Sequence, residues 1–224
     1  MANLLPQKAK YHSGRAIDGK VDNAWSTEGI SKLKARFYCK TCNNEWMSRI
    51  ESAAKPILKQ MIERPNIPRT LNREEQTTLA TWAFLRDLVV DGMKSDGFFG
   101  SEDFAKFARS KRPLPNTHVW LALLPRSELK GPSAHSENIR SDDRAVGLQV
   151  FNFFFSQVAF QVLHRVNKRG AITRRFGQNA GRWRQSAIRI WPSPRPSVAW
   201  PPSTLSVEMV DAFRYRFVPK IDDN

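Results

Sequence analysis

Cys39 and Cys42 are the only two cysteines among 224 residues, and they stand three apart in Cys39-Lys40-Thr41-Cys42. A C-x-x-C pair supports three chemistries. Two thiolates make half of a tetrahedral zinc site, whose other half must come from elsewhere. A dithiol after a strand and before a helix is also the arrangement of a redox pair, although the βαβ context of a thioredoxin-like motif is missing here. Two buried structural cysteines are the plain third reading.

Few other residues can complete a metal site. His12 is the histidine nearest the cysteines in sequence, and a loop histidine exposed to water is the ordinary reading of it. Asp18 and Asp22 offer oxygen to a divalent cation, though aspartates among glycines more often form turns. His118, His135 and His164 are scattered with no ligand spacing. Ser133 and Ser136 flank His135 without a nucleophile elbow. Gly170, Gly177 and Gly181 have the wrong spacing for a phosphate-binding loop.

Charge says more. The chain carries a formal +15, and no Asp or Glu occurs from Arg144 to Val207, a stretch with ten Lys and Arg. Mixed-sign surfaces are the rule for solvated faces, so a one-signed stretch points to a polyanionic partner, nucleic acid above all. Within it, Lys168, Arg169, Arg174, Arg175, Arg182 and Arg184 are placed to grip phosphates, and Trp183 to stack on an unpaired base or to plug the sheet. No apolar run approaches the ~20 residues of a membrane span, and the N-terminus has no signal-peptide core. A soluble, cytoplasmic protein is the expectation.

The elements that must position these groups read as α+β. Residues 1–30 are polar and irregular. Lys32–Tyr38 alternates basic and apolar residues as a half-buried strand does. A helix follows the cysteines, with Asn43 or Asn44 as its cap, Trp46, Ile50, Ala53 and Ala54 on one face, and an end or kink near Lys55 ahead of Pro56. Asn72 with Glu75 predicts a capping box and a buried helix to about Met93, and Ser101 predicts the cap of a shorter helix bearing Phe104 and Phe107. Strands are predicted at Thr117–Leu124, at about 145–155 and 157–166, and at Ala187–Trp191, with a polar loop over 125–143. The prolines of 192–202 predict a stiff extended segment packed over the sheet or presenting Trp191 and Trp200 to a peptide, and Ser206–Phe213 a closing helix. Three regions result: 1–62 around the cysteines, a helical 63–112, and an antiparallel β-rich 113–224.

The run Phe37-Tyr38-Cys39-Lys40-Thr41-Cys42-Asn43-Asn44-Glu45-Trp46-Met47-Ser48-Arg49-Ile50-Glu51, continuing to Lys55-Pro56-Ile57-Leu58, resembles a group of bacterial and phage HNH-endonuclease-like proteins. Their second knuckle reads roughly C-x-x-C-N-N-x-W-M-S-x-x-E, then K-P-x-L. The similarity is specific over about 20 residues and looser around Trp82 and Ile190-Trp191-Pro192. It implies a ββα-metal unit braced by structural zinc and a metal-dependent hydrolysis of phosphodiesters, with Mg²⁺ or Mn²⁺ steadying the phosphate and a histidine activating water. It also implies an earlier C-x-x-C and a Glu-His pair. Neither occurs in these 224 residues, so the module is expected to be incomplete: truncated at its start or without its catalytic half. The resemblance leaves Cys39 and Cys42 as metal ligands, Asn43 bordering the metal site, and His12 as a substitute base. Two copies could pool their thiolates into one Cys₄ site. The expected function is nucleic-acid binding within this lineage. The alternatives are a non-catalytic DNA- or RNA-binding protein stapled by zinc and a protein-interaction module.

Overall fold

The computed structural model describes residues 10–17, 20–28, 40–94, 97–126, 133–140, 146–167, 186–193, 195–207, 209, 210 and 213. The predicted strand at 32–38, Cys39 and the basic loop with Lys168, Arg169, Arg174, Arg175, Arg182, Trp183 and Arg184 lie outside them.

The polar first thirty residues are not irregular throughout. They contain an antiparallel pair, β1 (Lys10–Ile17) and β2 (Lys20–Glu28), whose register slips between Ser13 and Arg15. Gly14 falls in that slip, as suits a residue that leaves the ladder.

One helical run follows. It passes from α1 (Lys40–Cys42) through a π-helical turn (Asn43–Met47) into α2 (Ser48–Glu63). Asn43 and Asn44 therefore lie inside the run and do not cap it, and no side-chain bond caps the π turn. Pro56 does not end it either. Pro56 and Ser52 are both exposed, so water can serve the carbonyl that proline leaves without a donor. Ala54, Leu58 and Met61 form the buried face.

β3 (Arg69–Asn72) leads directly into α3 (Arg73–Asp91). The capping box is formed: Glu75 N–H donates to Asn72 Oδ1 at 2.9 Å, and Asn72 N–H to Glu75 Oε2 at 3.0 Å. α3 has a broad buried surface that includes Leu79, Trp82, Phe84, Leu85 and Leu88, the pattern of a helix surrounded by other elements. α4 (Ser101–Ser110) starts one residue earlier than Ser101 as a cap would place it, because Gly100 is the cap and its N–H donates to Asp103 Oδ2 at 3.1 Å.

The main sheet is antiparallel, in the order β5-β6-β7-β4-β8. Its strands are β4 (Thr117–Leu123), β5 (Ser133–Arg140), β6 (Val146–Phe155), β7 (Val158–Asn167) and β8 (Ala187–Trp191). β5 occupies the region predicted as a loop. Its residues, Ser-Ala-His-Ser-Glu-Asn-Ile-Arg, lack the apolar alternation of a strand, and pairing to β6 holds them. β9 (Ser197–Trp200) pairs with β3, so part of the proline-rich stretch is extended strand held in a two-stranded sheet. Trp200 is buried, which removes it from any peptide-binding surface.

The two-residue period of a strand sorts the side chains into two cores. Val119, Leu121, Phe153, Phe160 and Val162 pack under α3, where Trp82 meets Phe153, Phe155 and Phe160 at ring-centroid distances of 5.4, 5.8 and 5.5 Å. Trp120, Ala122, Val150, Phe154 and Leu163 face the opposite way and are covered by Leu205, Val210 and Phe213. Gln161 Nε2 bridges Asn152 Oδ1 (3.0 Å) and the Phe213 carbonyl (3.1 Å), pinning this C-terminal cover. Val210 N–H to Ser206 O at 3.0 Å is a helical bond, in line with the predicted closing helix.

A buried polar network joins α3 to the β5 edge. Gln149 Nε2 donates to Asp87 Oδ1 (2.7 Å) and to Ser136 Oγ (2.9 Å), and Lys94 Nζ donates to Ser136 Oγ (2.8 Å). Asp91 Oδ2 accepts the Phe99 N–H at 2.9 Å. Burial pushes the Asp87 carboxyl well above its ordinary 3.8; the Gln149 bond opposes this, the Asp91 charge adds to it, and Lys94 offsets part. A raised carboxyl pKa favours folding while the group is protonated, and that contribution is lost as pH rises through the folded value. Asp87→Asn keeps an acceptor for Gln149 and removes the charge. We expect it to stabilise the protein at pH 8 by about 1 kcal/mol, roughly 2–4 °C in melting temperature, and by less at pH 5. Thermal melts of both proteins at the two pH values check this, and an equal gain at both would contradict it.

Candidate nucleic-acid interface

A groove of about 740 Å³ opens between the C-terminal end of α4, the 110–117 segment and the end of β8. Lys106, Arg109 and Arg112 contribute the charged side chains of its lining, and none of the described lining residues is a carboxylate. Pro113, Leu114, Trp191 and Pro192 give it an apolar wall. The volume falls within the ~300–1,000 Å³ of small-molecule sites.

Local sequence builds this mouth. α4 is amphipathic: Phe107 is buried while Lys106 and Arg109 are exposed. Basic residues in a last turn also favour the negative end of the helix dipole. Lys111 ends the helix with φ 53°, in the left-handed region usual for glycine, and its N–H bonds to Phe107 O at 2.8 Å. Its ammonium lies 4.4 Å from the centroid of the Trp46 ring, a cation–π contact. Asn116, at φ 63°, makes the second left-handed step, and its carbonyl accepts Arg165 N–H at 3.3 Å. Lys106 pairs with Glu102 at 2.9 Å, and both side chains are largely in water, where such a pair holds little energy.

Thr117 reaches the groove lining from β4 and connects it to a buried histidine. Its Oγ1 lies 2.8 Å from His164 Nδ1 on β7. His164 is surrounded by Phe84, Phe98 and Phe99, with ring centroids 5.1–6.2 Å away. Burial lowers its pKa from 6.5 to about 4, and the His118 charge adds to the shift. A neutral imidazole in an aromatic cage is a packing element, not a proton shuttle at neutral pH.

The residues singled out in the sequence are not gathered in this groove. Cys42 is half-buried in the first helical turn, packed against the core, and Asn43 is exposed one residue later. His12 lies on β1, opposite Ser26. Among the described residues no three His, Cys, Asp or Glu side chains form a group able to hold a metal. The described donors therefore do not make a complete zinc site. Ser136 is buried in the Asp87 network.

The run that carries the family resemblance does mechanical work. Trp46 meets Phe107 edge-on at 5.7 Å, Met47 is buried, and Glu51 forms an ion pair with Arg86 of α3. Leu58, of the K-P-x-L continuation, is buried too. No family model, curated protein or solved structure matches this chain. Among the described residues no helix is long and apolar enough to cross a membrane.

The lowered histidine pKa sets an acid limit on stability. Well above pH 6.5 His164 is neutral whether folded or unfolded and imposes no penalty. As pH falls from 6.5 to about 4 the unfolded chain takes up a proton that the folded one refuses. We expect a loss of up to about 3 kcal/mol across that window, at ~1.4 kcal/mol per pH unit. Denaturant titrations at pH 7 and pH 4.5 should show a smaller loss for His164→Gln than for the native chain. An equal loss in both would place the acid sensitivity elsewhere.

Proposed function

We propose that this protein binds nucleic acid through its phosphates, as an incomplete member of the HNH-endonuclease-like lineage. The carrying observation is the groove lining: Arg109 and Arg112 exposed, Lys106 shared with Glu102, no carboxylate among the described lining residues, and an apolar wall. Trp191 and Pro192 belong to the stretch from Arg144 to Val207 that contains no acidic residue, so one wall of the groove lies in the most one-signed part of a +15 chain. A concave, positively charged surface with low-dielectric walls concentrates field lines and draws a polyanion. The basic residues from Lys168 to Arg184 add to the positive charge available to the same polyanion.

One feature supports the lineage: the run from Phe37 to Glu51, continuing to Leu58, has its family spelling. Cleavage is not assigned to these residues, because the sequence has no Glu-His pair to supply the base. Cys39 and Cys42 offer half of a zinc coordination sphere, and a second copy is one source of the other half.

Binding measured against salt tests the proposal. Neutralised phosphates release counterions, and three contacts give a slope of log K against log salt near −2 on a single strand or about −2.7 on a duplex. We expect a slope at least that steep. Plasmid nicking in Mg²⁺ or Mn²⁺ would extend the reading to hydrolysis. Half an equivalent of zinc per chain, together with a dimer in sedimentation, would mark pooled thiolates. Absence of binding at low salt would overturn the proposal in favour of a protein partner.

A further inference from the structure

We infer that the groove between α4 and β8 takes single-stranded nucleic acid, with a base against Trp191 and its flanking phosphates on Arg109 and Arg112. This inference rests on the nucleic-acid reading and names the form of the polymer.

Two kinds of surface share one concavity. Trp191 is half-buried, packed against the core on one side, and lies in the groove lining beside Pro192. Arg109 and Arg112 are exposed and carry no ion pair among the described residues, while Lys106 is shared with Glu102. A ligand that satisfies both must present a flat apolar face and an anion within one groove. A nucleotide does so. In a duplex the base faces are stacked on one another and only edges and phosphates are offered, so a duplex can meet the arginines but not the wall. A single strand can turn a base into the groove, and stacking on an aromatic face does not depend on which base it is. Sequence-tolerant recognition follows.

The groove is also held from behind. Trp191 lies opposite Val119 in the β4–β8 pair, and Ile190 beside it is fully buried. Phe107 fixes the turn of α4 that carries Lys106 and Arg109 by packing on Phe84 and Trp46. Trp191 and Arg109 thus stand on separate rigid elements, so little ordering of these two is left for binding to supply.

Fluorescence anisotropy with a labelled oligothymidylate and with a labelled duplex of equal length, on the full chain, tests this. Trp191→Ala should weaken the single strand about tenfold, the lower range of one stacked base, and leave the duplex unchanged. Arg109→Ala with Arg112→Ala should weaken the single strand and reduce its salt slope by about 1.4, at ~0.7 per lost contact. Should Trp191→Ala fail to fold, the arginine pair decides, since both side chains are in water. Unchanged single-strand binding by a folded arginine double variant overturns the inference. Native binding to the duplex alone also overturns it while leaving the nucleic-acid reading intact. Binding to neither probe removes both.

Discussion

Phe107 sits between two rings, Phe84 at 5.2 Å and Trp46 at 5.7 Å, and both contacts are edge-to-face. That chain of rings joins three helices: α2 through the π turn before it, α3 through Phe84, and α4 through Phe107 itself. Such pairs add about 0.5–1.5 kcal/mol each beyond their buried area. Their larger effect is geometric. α4 is only ten residues long and could not hold its direction alone. Clamped at Phe107, it presents Lys106 and Arg109 at a fixed distance from the end of β8. The π turn belongs to the same device. Its wider winding brings Trp46 towards α4 while Met47 enters the core.

The cost of this arrangement appears around α3. A helix this deeply buried cannot keep its polar residues in water, so Gln76, Asp87 and Asp91 are all buried with it. Each is answered locally: Gln76 bonds the Leu71 carbonyl and Ser193 Oγ, and Asp91 bonds the Phe99 amide. These bonds tie α3 to β3, to the stretch after β8 and to the approach to α4. They specify where the helix sits along its length, which an apolar interface alone would specify poorly. Asp87 is the member whose charge is least well served, hence its upward pKa.

Much of this architecture is legible in the residues, and the failures have physical reasons. The Asn72–Glu75 box and the apolar runs of α3, β4, β6, β7 and β8 carry their own local signals, and each element is present. β5 has no such signal, because an edge strand beside a hydrogen-bonding neighbour can be polar on both faces. β1 and β2 are likewise polar strands whose pairing, not their composition, defines them. Pro56 misleads because its effect depends on which face it occupies. The groove was invisible for a different reason. Arg109 and Trp191 lie on elements separated by most of the sheet, and their adjacency is created by β8 pairing with β4. The sequence signal that could have pointed there is the cluster Lys106, Arg109, Lys111 and Arg112 at the end of an amphipathic helix. The thiolate pair is the conspicuous chemistry of the sequence, yet the residues after it, Trp46 and Glu51, hold helices together.

The strand order has a consequence for how the chain reaches this state. β4 is the first strand of the main sheet to leave the ribosome, but its neighbours on both sides, β7 and β8, are made later. Until then Val119, Leu121, Leu123 and their alternate partners, buried on both faces in the finished protein, have no sheet to enter. Long-range pairing of this kind is slow, and unpaired apolar strands are prone to associate with one another. The segment from Thr117 to Leu123 is therefore where a nascent chain most needs shielding, and where crowded synthesis would divert it into aggregates.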